Sequence, residues 1–323
     1  MIRRSLERLL RAIGWRAVRL ADQIARKPLR ADEAPTSGPP LASTVEVLQR
    51  DGRWTTCRTG DGILWTLDPT EYIDGEILGR GVFEPESTRL VRKLVKPGMI
   101  VADVGANFGY YTVQLSRLVG AGGHVYAFEP TMRFWGRLTH HLELNNCRNV
   151  TVVRTGLSDR SGEAQIAIGS SSATLHWCDE RKRPLAIETI SLQTFDSYVQ
   201  EQGMTRLDFI KVDIDGHEPL FLRGAQDTIR RFRPLMLMEF AQLVLMRAGW
   251  DVVRLREELV PLDYILCSEK SGLAFPTFTD FLCETMNCAY SANVLCVPRS
   301  KVPAEVVPDA ASSSARPFTY LRG

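Results

Sequence analysis

The stretch Val101-Ala-Asp-Val-Gly-Ala-Asn-Phe-Gly-Tyr-Tyr111 decides the fold of this 323-residue chain. An apolar strand ends in Asp103, a turn with Gly105 and Gly109 follows, and a segment that can be helical comes next. Such a turn between a strand and a helix is typical of the carboxyl edge of a parallel sheet, where open α/β folds bind their ligands. The sequence therefore predicts a ligand site at this turn.

The spacing of the glycines indicates which ligand this turn suits. A dinucleotide fingerprint reads Gly-x-Gly-x-x-Gly, which lets the backbone approach a pyrophosphate at the start of a helix. Here Asn107 stands in the second glycine position, and the turn reads Gly-x-Asn-x-Gly. A ligand without a pyrophosphate fits better, and we expect S-adenosylmethionine (SAM). An NAD-dependent oxidoreductase of related fold is the alternative.

Composition and charge limit the class of protein. Hydrophobic residues make up 44% and charged residues 24% of the chain, which is ordinary for a globular protein. The seven cysteines are scattered and form no Cys-x-x-Cys, so we expect reduced thiols and a cytoplasmic protein. The net charge is +2, of which residues 1–30 carry +7 and the remainder −5. A mildly acidic body argues against nucleic acid as a partner.

The two ends of the chain differ from its middle. Apolar residues recur every three or four positions over residues 1–30, between arginines, which predicts a basic amphipathic helix. Residues 1–27 of such a helix can bind an anionic membrane at its inner face, or can dock on protein. Residues 31–44 are predicted to be a linker, and residues 299–323 a disordered tail.

The middle of the chain is predicted to hold a small β/α appendage over 45–96 and an alternating α/β domain over 97–298. The segment at about 162–192 is interpreted as an inserted hairpin near the site. Because strands and helices alternate, we expect a parallel sheet covered on both faces. The predicted strands of the domain are 99–104, 123–129, 150–155, 207–213, 235–240 and 293–297, and the predicted helices are 109–119, 131–145, 217–231 and 251–259.

Four of the predicted strands end in an acid, namely Asp103, Glu129, Asp213 and Glu239. The carboxyl ends of parallel strands meet at one edge of a sheet, so these acids are predicted to line one rim. Glu129 follows the second strand, where nucleotide-binding α/β folds place the acid that takes both ribose hydroxyls. A surface acid ahead of Pro130 is the plainer interpretation of the same pattern.

A dense polar cluster follows the fourth strand. The stretch Asp213-Ile-Asp-Gly-His-Glu218 places three acids and a histidine within six positions. Such groups perturb the pKa of one another unless a cation or a substrate proton compensates their charge. Asp215 and Glu218 also fit the pattern of a helix capping box, and His217 can be an ordinary residue at a helix start.

Taken in order, these segments resemble the FkbM family of SAM-dependent methyltransferases. The resemblance covers about residues 70–265, and in one departure Asp215 stands where the family often has Glu, which shortens the reach of that carboxylate. The stretches that carry it are 103–112, 128–130, 142–145, 210–218, 222–225 and 233–239, with a weaker likeness at 72–74 and 81–84.

The resemblance implies an α/β, Rossmann-like, seven-stranded class I methyltransferase fold, with the small N-terminal β/α appendage and the amphipathic helix added to it. It implies that 97–298 is the methyltransferase domain, and that a hydroxyl of a sugar, glycolipid or secondary metabolite is methylated. The acceptor is then a small molecule or a lipid-linked glycan. Transferred to this chain, the methionine end of SAM is lined by Asp103, Gly105, Asn107 and Gly109, the ribose is held by Glu129, and the adenine is flanked by Ser158 and Asp159.

A hydroxyl acceptor needs a base, because it is a poor nucleophile until its proton is shared. We predict His217 as this base, since an unperturbed histidine titrates near neutrality, with Asp213 as the alternative. Asp213 and Glu239 could instead supply two oxygen ligands for Mg²⁺. A SAM-binding protein at the membrane surface that has no catalytic activity is the non-enzymatic alternative.

Overall fold

The computed structural model describes residues 44–176, 183–286 and 291–301. The predicted helix over 1–30, with its membrane-binding residues 1–27, lies outside these ranges. The predicted linker, apart from its last residue, also lies outside these ranges, and so does most of the predicted tail. Within the described ranges, no helix combines the length and the apolar character needed to cross a membrane. The proposed domain boundaries stay a prediction.

The strands form three sheets in the described part of the chain. Their bounds, in chain order, are β1 (Val45–Asp51), β2 (Trp54–Thr59), β3 (Leu64–Leu67), β4 (Ile100–Val104), β5 (His124–Phe128), β6 (Val150–Val153), β7 (Gly156–Leu157), β8 (Gly162–Ile168), β9 (Ala173–Thr174), β10 (Ala186–Gln193), β11 (Phe209–Val212), β12 (Leu235–Phe240), β13 (Tyr264–Ser268) and β14 (Ala292–Pro298).

The helices connect these strands and cover the largest sheet. Their bounds are α1 (Tyr72–Arg80), α2 (Pro85–Leu94), α3 (Tyr110–Val119), α4 (Met132–Leu144), α5 (Phe195–Glu201), α6 (Glu218–Arg223), α7 (Gln226–Phe232), α8 (Gln242–Arg247), α9 (Val252–Leu259) and α10 (Phe278–Met286).

The central sheet has seven strands in the order β13-β14-β12-β11-β4-β5-β6. The five strands from β12 to β6 are parallel to their neighbours, and β14 runs antiparallel to both β12 and β13. The chain leaves β4 towards β5 and β6, then crosses back to β11 on the other side of β4. Ligands bind at such a reversal of strand order. This order confirms the predicted seven-stranded Rossmann-like fold.

Alternate residues of the central strands feed two hydrophobic cores, one on each face of the sheet. On β4, Val101 packs into one core, whereas Ala102 and Val104 pack into the other. The first core is covered by α2, α3 and α4, and the second by α5, α7 and α9. A strand that is buried on both faces reads as a continuous apolar run, which is why the sequence predicts these strands well.

The N-terminal sheet β1-β2-β3 packs behind the glycine turn. Trp65 is 1% exposed, and its ring stacks on Tyr110 with 5.7 Å between centroids. His141 on α4 joins the two parts, since its Nδ1 lies 2.8 Å from the Phe108 carbonyl oxygen and its Nε2 3.1 Å from that of Thr66. The appendage thereby fixes the back of the turn that borders the site.

Some elements differ from the sequence prediction. The predicted helix over 217–231 is two helices, α6 and α7, because the helix is interrupted at Gly224. A Cβ atom at Gly224 would lie 1.9 Å from the Ser158 carbonyl oxygen, a tertiary contact that no local pattern encodes. The predicted inserted hairpin is present as the antiparallel pair β8 and β10.

Gly105 holds the turn after β4 against the loop after β11. Its φ is 84°, and a Cβ atom there would lie 1.8 Å from the Asp213 carbonyl oxygen. The amide of Gly105 donates to the Phe128 carbonyl oxygen at 3.1 Å. Both the backbone conformation and the lack of space therefore require glycine at this position.

Replacing Gly105 with alanine tests this contact. We expect Gly105→Ala to lower the free energy of unfolding by about 3 kcal/mol or more, since left-handed strain and displacement of the Asp213 backbone add together. Gly203→Ala is the matched control, because Gly203 has a φ of 58° with no atom within 4 Å of a built Cβ. The control should lose only ~1 kcal/mol. Equal losses in urea unfolding of the two variants would contradict the role of the contact.

Candidate functional site

A cleft of about 610 Å³ opens at the carboxyl ends of the central strands. This volume includes the space at the mouth of the cleft that is open to solvent. Its acidic lining comes from the loops after β5 and β11, and its apolar lining mainly from the strand ends, the loop after β6 and the insert. The residues of the lining that carry the argument are Gly105, Asn107, Glu129, Asp213, Asp215 and His217, together with the apolar side chains of Phe128, Leu157, Ile166, Ile190 and Leu192.

Glu129 lines this cleft directly after β5, as the sequence predicts. Its Oε1 accepts hydrogen bonds from the amide and the hydroxyl of Thr131, and its Oε2 accepts from the Asn107 amide at 2.9 Å. Burial raises the pKa of Glu129 to about 7. Each carboxylate oxygen has two lone pairs, so both on Oε1 are used and Oε2 keeps one for a ligand hydroxyl.

Asn107 connects the glycine turn to the insert. It adopts a left-handed conformation with a φ of 51°, which asparagine tolerates better than most residues. Its Nδ2 donates to the Ser171 carbonyl oxygen and its Oδ1 accepts from the Phe108 amide. The serine-rich turn of the insert is thereby fixed over one side of the cleft.

Asp103 and Gly109 lie behind the wall of the cleft. Asp103 is 1% exposed, and its Oδ2 accepts from the Thr112 hydroxyl at 2.5 Å. Burial raises the pKa of Asp103 to about 6. Gly109 begins α3, and a Cβ atom there would lie 2.6 Å from Leu138 Cδ1. These two residues shape the turn, while Gly105 and Asn107 of the same prediction face the cleft.

The structure connects His217 to Ser158 and Asp159 by hydrogen bonds. Ser158 Oγ donates to Asp159 Oδ1 at 3.2 Å and lies 2.9 Å from His217 Nε2. Because the serine proton is used, His217 Nε2 is the donor and its Nδ1 accepts from His176 Nε2 at 3.3 Å. Ser158 thus contacts a residue of the cleft wall, while Thr155, Gly156 and Leu157 supply that part of the lining.

His217 is only 7% exposed. Burial, and then the neighbouring His176, lower the pKa of His217 to about 4, so its ring is neutral at physiological pH. Both of its nitrogens are already engaged by protein partners. The prediction that His217 or Asp213 acts as the base stays a prediction.

Asp213 is paired with a lysine that the sequence argument does not single out. Lys211 Nζ donates to Asp213 Oδ2 and to Asn293 Oδ1, both at 3.0 Å, and the lysine is fully buried. It also lies 5.1 Å from the centre of the Tyr111 ring. Lys211 lies within an apolar strand, and a charged residue there is the signal that could have identified it.

Glu218 anchors the loop between β11 and α6 in a way that corrects the capping-box interpretation. The residue before the helix is His217, and its side chain makes no capping bond. Glu218 Oε1 instead accepts from the amides of Ile214 and Gly216, at 3.0 and 3.3 Å. Asp215 has a φ of 51° in this tight loop and lines the cleft.

The alternative of a metal site finds limited support in these residues. Within the described ranges, no group of three or more His, Cys, Asp or Glu side chains is arranged to hold a metal ion. Asp213 follows β11 and Glu239 lies in the neighbouring strand β12, yet the Lys211 ammonium already lies against Asp213. A metal requirement therefore stays a prediction and enters no step below.

Comparison with known sequences identifies the family. The sequence profile of the Methyltransferase FkbM domain matches residues 103–266, about half of the chain. The hexuronic acid methyltransferase AglP of Haloferax volcanii is 26% identical over 147 residues, which are 46% of this chain and 58% of that protein. The methyltransferase sdnD of Sordaria araneosa is 22% identical over 200 residues, covering 50% of this chain and 77% of that protein. The matched part thus spans less than two thirds of the archaeal relative.

Among solved structures, the methyltransferase FkbM from Methylobacillus flagellatus has a TM-score of 0.40 and 17% identity, covering 61% of this chain and 43% of that one. Fibrillarin from Aeropyrum pernix, solved with natively bound SAM, has a TM-score of 0.40 and 14% identity, covering 79% and 98%. Because both TM-scores are low, the fold is assigned from the strand order of this chain itself.

The buried histidine predicts a pH dependence of stability. Folding lowers the pKa of His217 from 6.5 to about 4. The folded protein therefore loses stability as the pH drops below 6.5, because the unfolded chain binds the proton more readily. Between pH 7.5 and pH 5 this amounts to about 2 kcal/mol. In urea unfolding, the free energy of unfolding of the wild type should therefore fall by that amount relative to that of His217→Gln. We call the difference between these two free energies the stability gap.

Burial raises the pKa values of Glu129 and Glu218 to about 7, so these acids stabilise the folded protein at low pH and oppose the effect of His217. The difference between wild type and variant isolates the histidine, because both proteins carry the same acids. The matched control is His140→Gln at an exposed ring on α4. The change in the stability gap should be larger for His217→Gln than for this control. A constant gap for His217→Gln would show that the ring is not held neutral.

Proposed function

The chain belongs to the FkbM methyltransferase family, and from this membership and the cleft we propose that it is a SAM-dependent enzyme that methylates a hydroxyl oxygen. The observation that carries the proposal is the Glu129 carboxylate, which is buried at the end of β5 and faces the cleft. The acceptor class that we propose is a sugar, a glycolipid or a secondary metabolite.

The residues of the cleft fit SAM in three respects. Glu129 Oε2 offers its second lone pair to the ribose hydroxyls, because the Asn107 amide uses only one. The apolar side chains of Leu157, Ile166 and Ile190 suit the adenine ring, and lie on the same side as Glu129 along the sheet. The acids at Asp213 and Asp215 suit a cationic group. When bound, SAM supplies a methyl group activated by a sulfonium.

The residues of the turn after β4 support binding without a pyrophosphate. The Asn107 side chain is folded back on the Phe108 amide and the Ser171 carbonyl oxygen, so it occupies the space beside the turn. A dinucleotide needs that position to be open for its phosphates. The geometry therefore disfavours the NAD-dependent alternative.

The protein's part in the reaction is positioning and control of a proton. Holding an oxygen nucleophile in line with the bond that breaks contributes strongly to the rate, since it replaces a bimolecular encounter. The insert is fixed to Asn107 through Ser171 and to His217 through His176, and its described residues line one side of the cleft.

Calorimetric titration of the full-length protein tests the cofactor. We expect one SAM to bind per chain and NAD not to bind. Glu129→Ala should weaken SAM binding by about 10- to 100-fold, because hydrogen bonds from the ribose to a charged acceptor are lost. Glu188→Ala is the control, since that acid bonds the Met132 amide and does not line the cleft. Equal weakening in both variants would exclude a specific role for Glu129.

Mass spectrometry of the producing organism tests the acceptor. We expect glycolipids or other glycosylated metabolites to lose the mass of one methylene unit each when the gene is deleted, and to regain it on complementation with the wild type. Complementation with Glu129→Ala should leave the loss largely unrepaired, whereas Glu188→Ala should repair it. An unchanged pool of glycans and metabolites would overturn the proposed acceptor class while leaving SAM binding intact.

A further inference from the structure

The lining of the cleft changes along the sheet, and this change gives a bound cofactor one orientation. The apolar lining comes from β7 and the insert, where Leu157, Ile166 and Ile190 suit an adenine ring. Glu129 follows β5, and Asp213 follows β11 on the far side of β4. If the apolar side holds the adenine and Glu129 holds the ribose, the amino-acid end of SAM points towards Asp213. Two strand spacings of ~4.8 Å separate the two acids by roughly 10 Å across the sheet, which the chain from the ribose to the amino group of SAM can span.

Asp213 offers one open carboxylate oxygen to this end of the ligand. Its side chain is 31% exposed and lines the cleft. Its Oδ2 accepts from Lys211 Nζ at 3.0 Å, whereas its Oδ1 accepts no hydrogen bond from the described residues. The backbone of Asp213 is also fixed, because its amide donates to the Val104 carbonyl oxygen at 2.9 Å and its carbonyl oxygen lies against Gly105. Oδ1 is therefore a fixed acceptor that a ligand can reach.

Lys211 is itself held in place, so it can fix the carboxylate that it contacts. It is fully buried, its Nζ donates to Asn293 Oδ1 at 3.0 Å, and it lies 5.1 Å from the centre of the Tyr111 ring. A buried charge is costly unless it is paired, and the ion pair with Asp213 meets this requirement. A carboxylate anchored in this way loses little rotational freedom when a ligand binds, which favours affinity.

The chemistry of the amino-acid end decides which group can meet Asp213. The sulfonium carries no N–H or O–H group, and the α-carboxylate only accepts hydrogen bonds. The α-ammonium is therefore the donor at that end of SAM. A hydrogen bond between an ammonium and a carboxylate is among the stronger ones in proteins, because both partners are charged.

We propose that Asp213 Oδ1 accepts a hydrogen bond from the α-ammonium of the cofactor, and that Lys211 is the positioning residue that holds Asp213 for this contact. This inference rests on the proposed function. The contact involves no proton transfer and no metal ion. It gives the buried lysine of β11 a role in binding, which it performs through the carboxylate that it fixes.

Two ligands that differ by one amino group test this contact. S-adenosylhomocysteine keeps the amino group of SAM, whereas its desamino analogue has hydrogen in that position. We expect calorimetry on the full-length wild type to show S-adenosylhomocysteine binding at least ~10-fold more tightly than the desamino analogue, as a charged hydrogen bond implies. Excess EDTA is present throughout, so that no divalent ion bridges the acids and the ligand.

Asp213→Asn keeps the shape of the side chain and removes its charge, so the preference for the amino group should fall to about threefold or less. Lys211→Met should lower the preference to a similar extent, because the carboxylate is no longer held. Lys211→Gln is a second variant, with a polar end but no charge, and it should lose the preference in the same way. A general loosening of the cleft would weaken both ligands equally and leave their ratio unchanged.

The matched control is Tyr111→Phe. It removes the hydrogen bond from the Tyr111 hydroxyl to Glu84 Oε2, which is 2.6 Å long, but keeps the ring beside Lys211. This control should lose stability and keep the full preference for the amino group.

The outcomes separate the two proposals. If the wild type binds both ligands equally, or if Asp213→Asn keeps the preference, the contact with Asp213 is overturned and the methyltransferase proposal stands. If folded Lys211→Met or Lys211→Gln keeps the preference, the positioning role of Lys211 is overturned. A loss of the preference in Tyr111→Phe as well would overturn both roles, since any change beside β11 would then suffice. If the folded wild type binds neither ligand, the proposed function fails and this inference fails with it.

Discussion

The close contact between Gly105 and the backbone of Asp213 is the constraint on which the site depends. It brings the turn after β4 against the loop after β11, on the two sides of the point where the strand order reverses. Glu129, the asparagine of the turn and the acids of the second loop then border one cleft. A side chain at Gly105 would push these loops apart and widen the cleft.

The second constraint is electrostatic, because several carboxylates are buried at the ends of neighbouring strands. The fold provides each of them with different partners. Glu129 has amide and hydroxyl donors from Asn107 and Thr131, and Asp103 has the Thr112 hydroxyl. Asp213 has Lys211. Glu218 and Glu239 each keep one buried oxygen that has no donor in the described residues.

Much of the fold could be predicted from the sequence because its central strands are buried on both faces and read as apolar runs. Of the predicted rim of acids, Glu129 and Asp213 line the cleft because each follows a strand at its carboxyl end, whereas Asp103 and Glu239 do not line it. Other features depend on contacts between distant segments. Lys211 gains its role from Asn293, which is 82 positions away, and His217 is held by His176 on the insert, 41 positions away. The helix interruption at Gly224 depends on the close approach of the Ser158 backbone, which leaves no space for a side chain there. Local patterns carry no information on such pairs.

The two ends of the cleft are unequal, and this inequality gives the proposed reaction a direction. At Glu129 the protein supplies donors of its own, so the carboxylate is fixed and suited to neutral hydroxyls. At the other end, burial and the neighbouring acids raise the pKa of Asp215 and of Glu239 well above the ordinary value, so a cationic group there would stabilise their ionised forms. In the proposed reaction, loss of the sulfonium charge removes that stabilisation, so the acidic end distinguishes the charged cofactor from its neutral product.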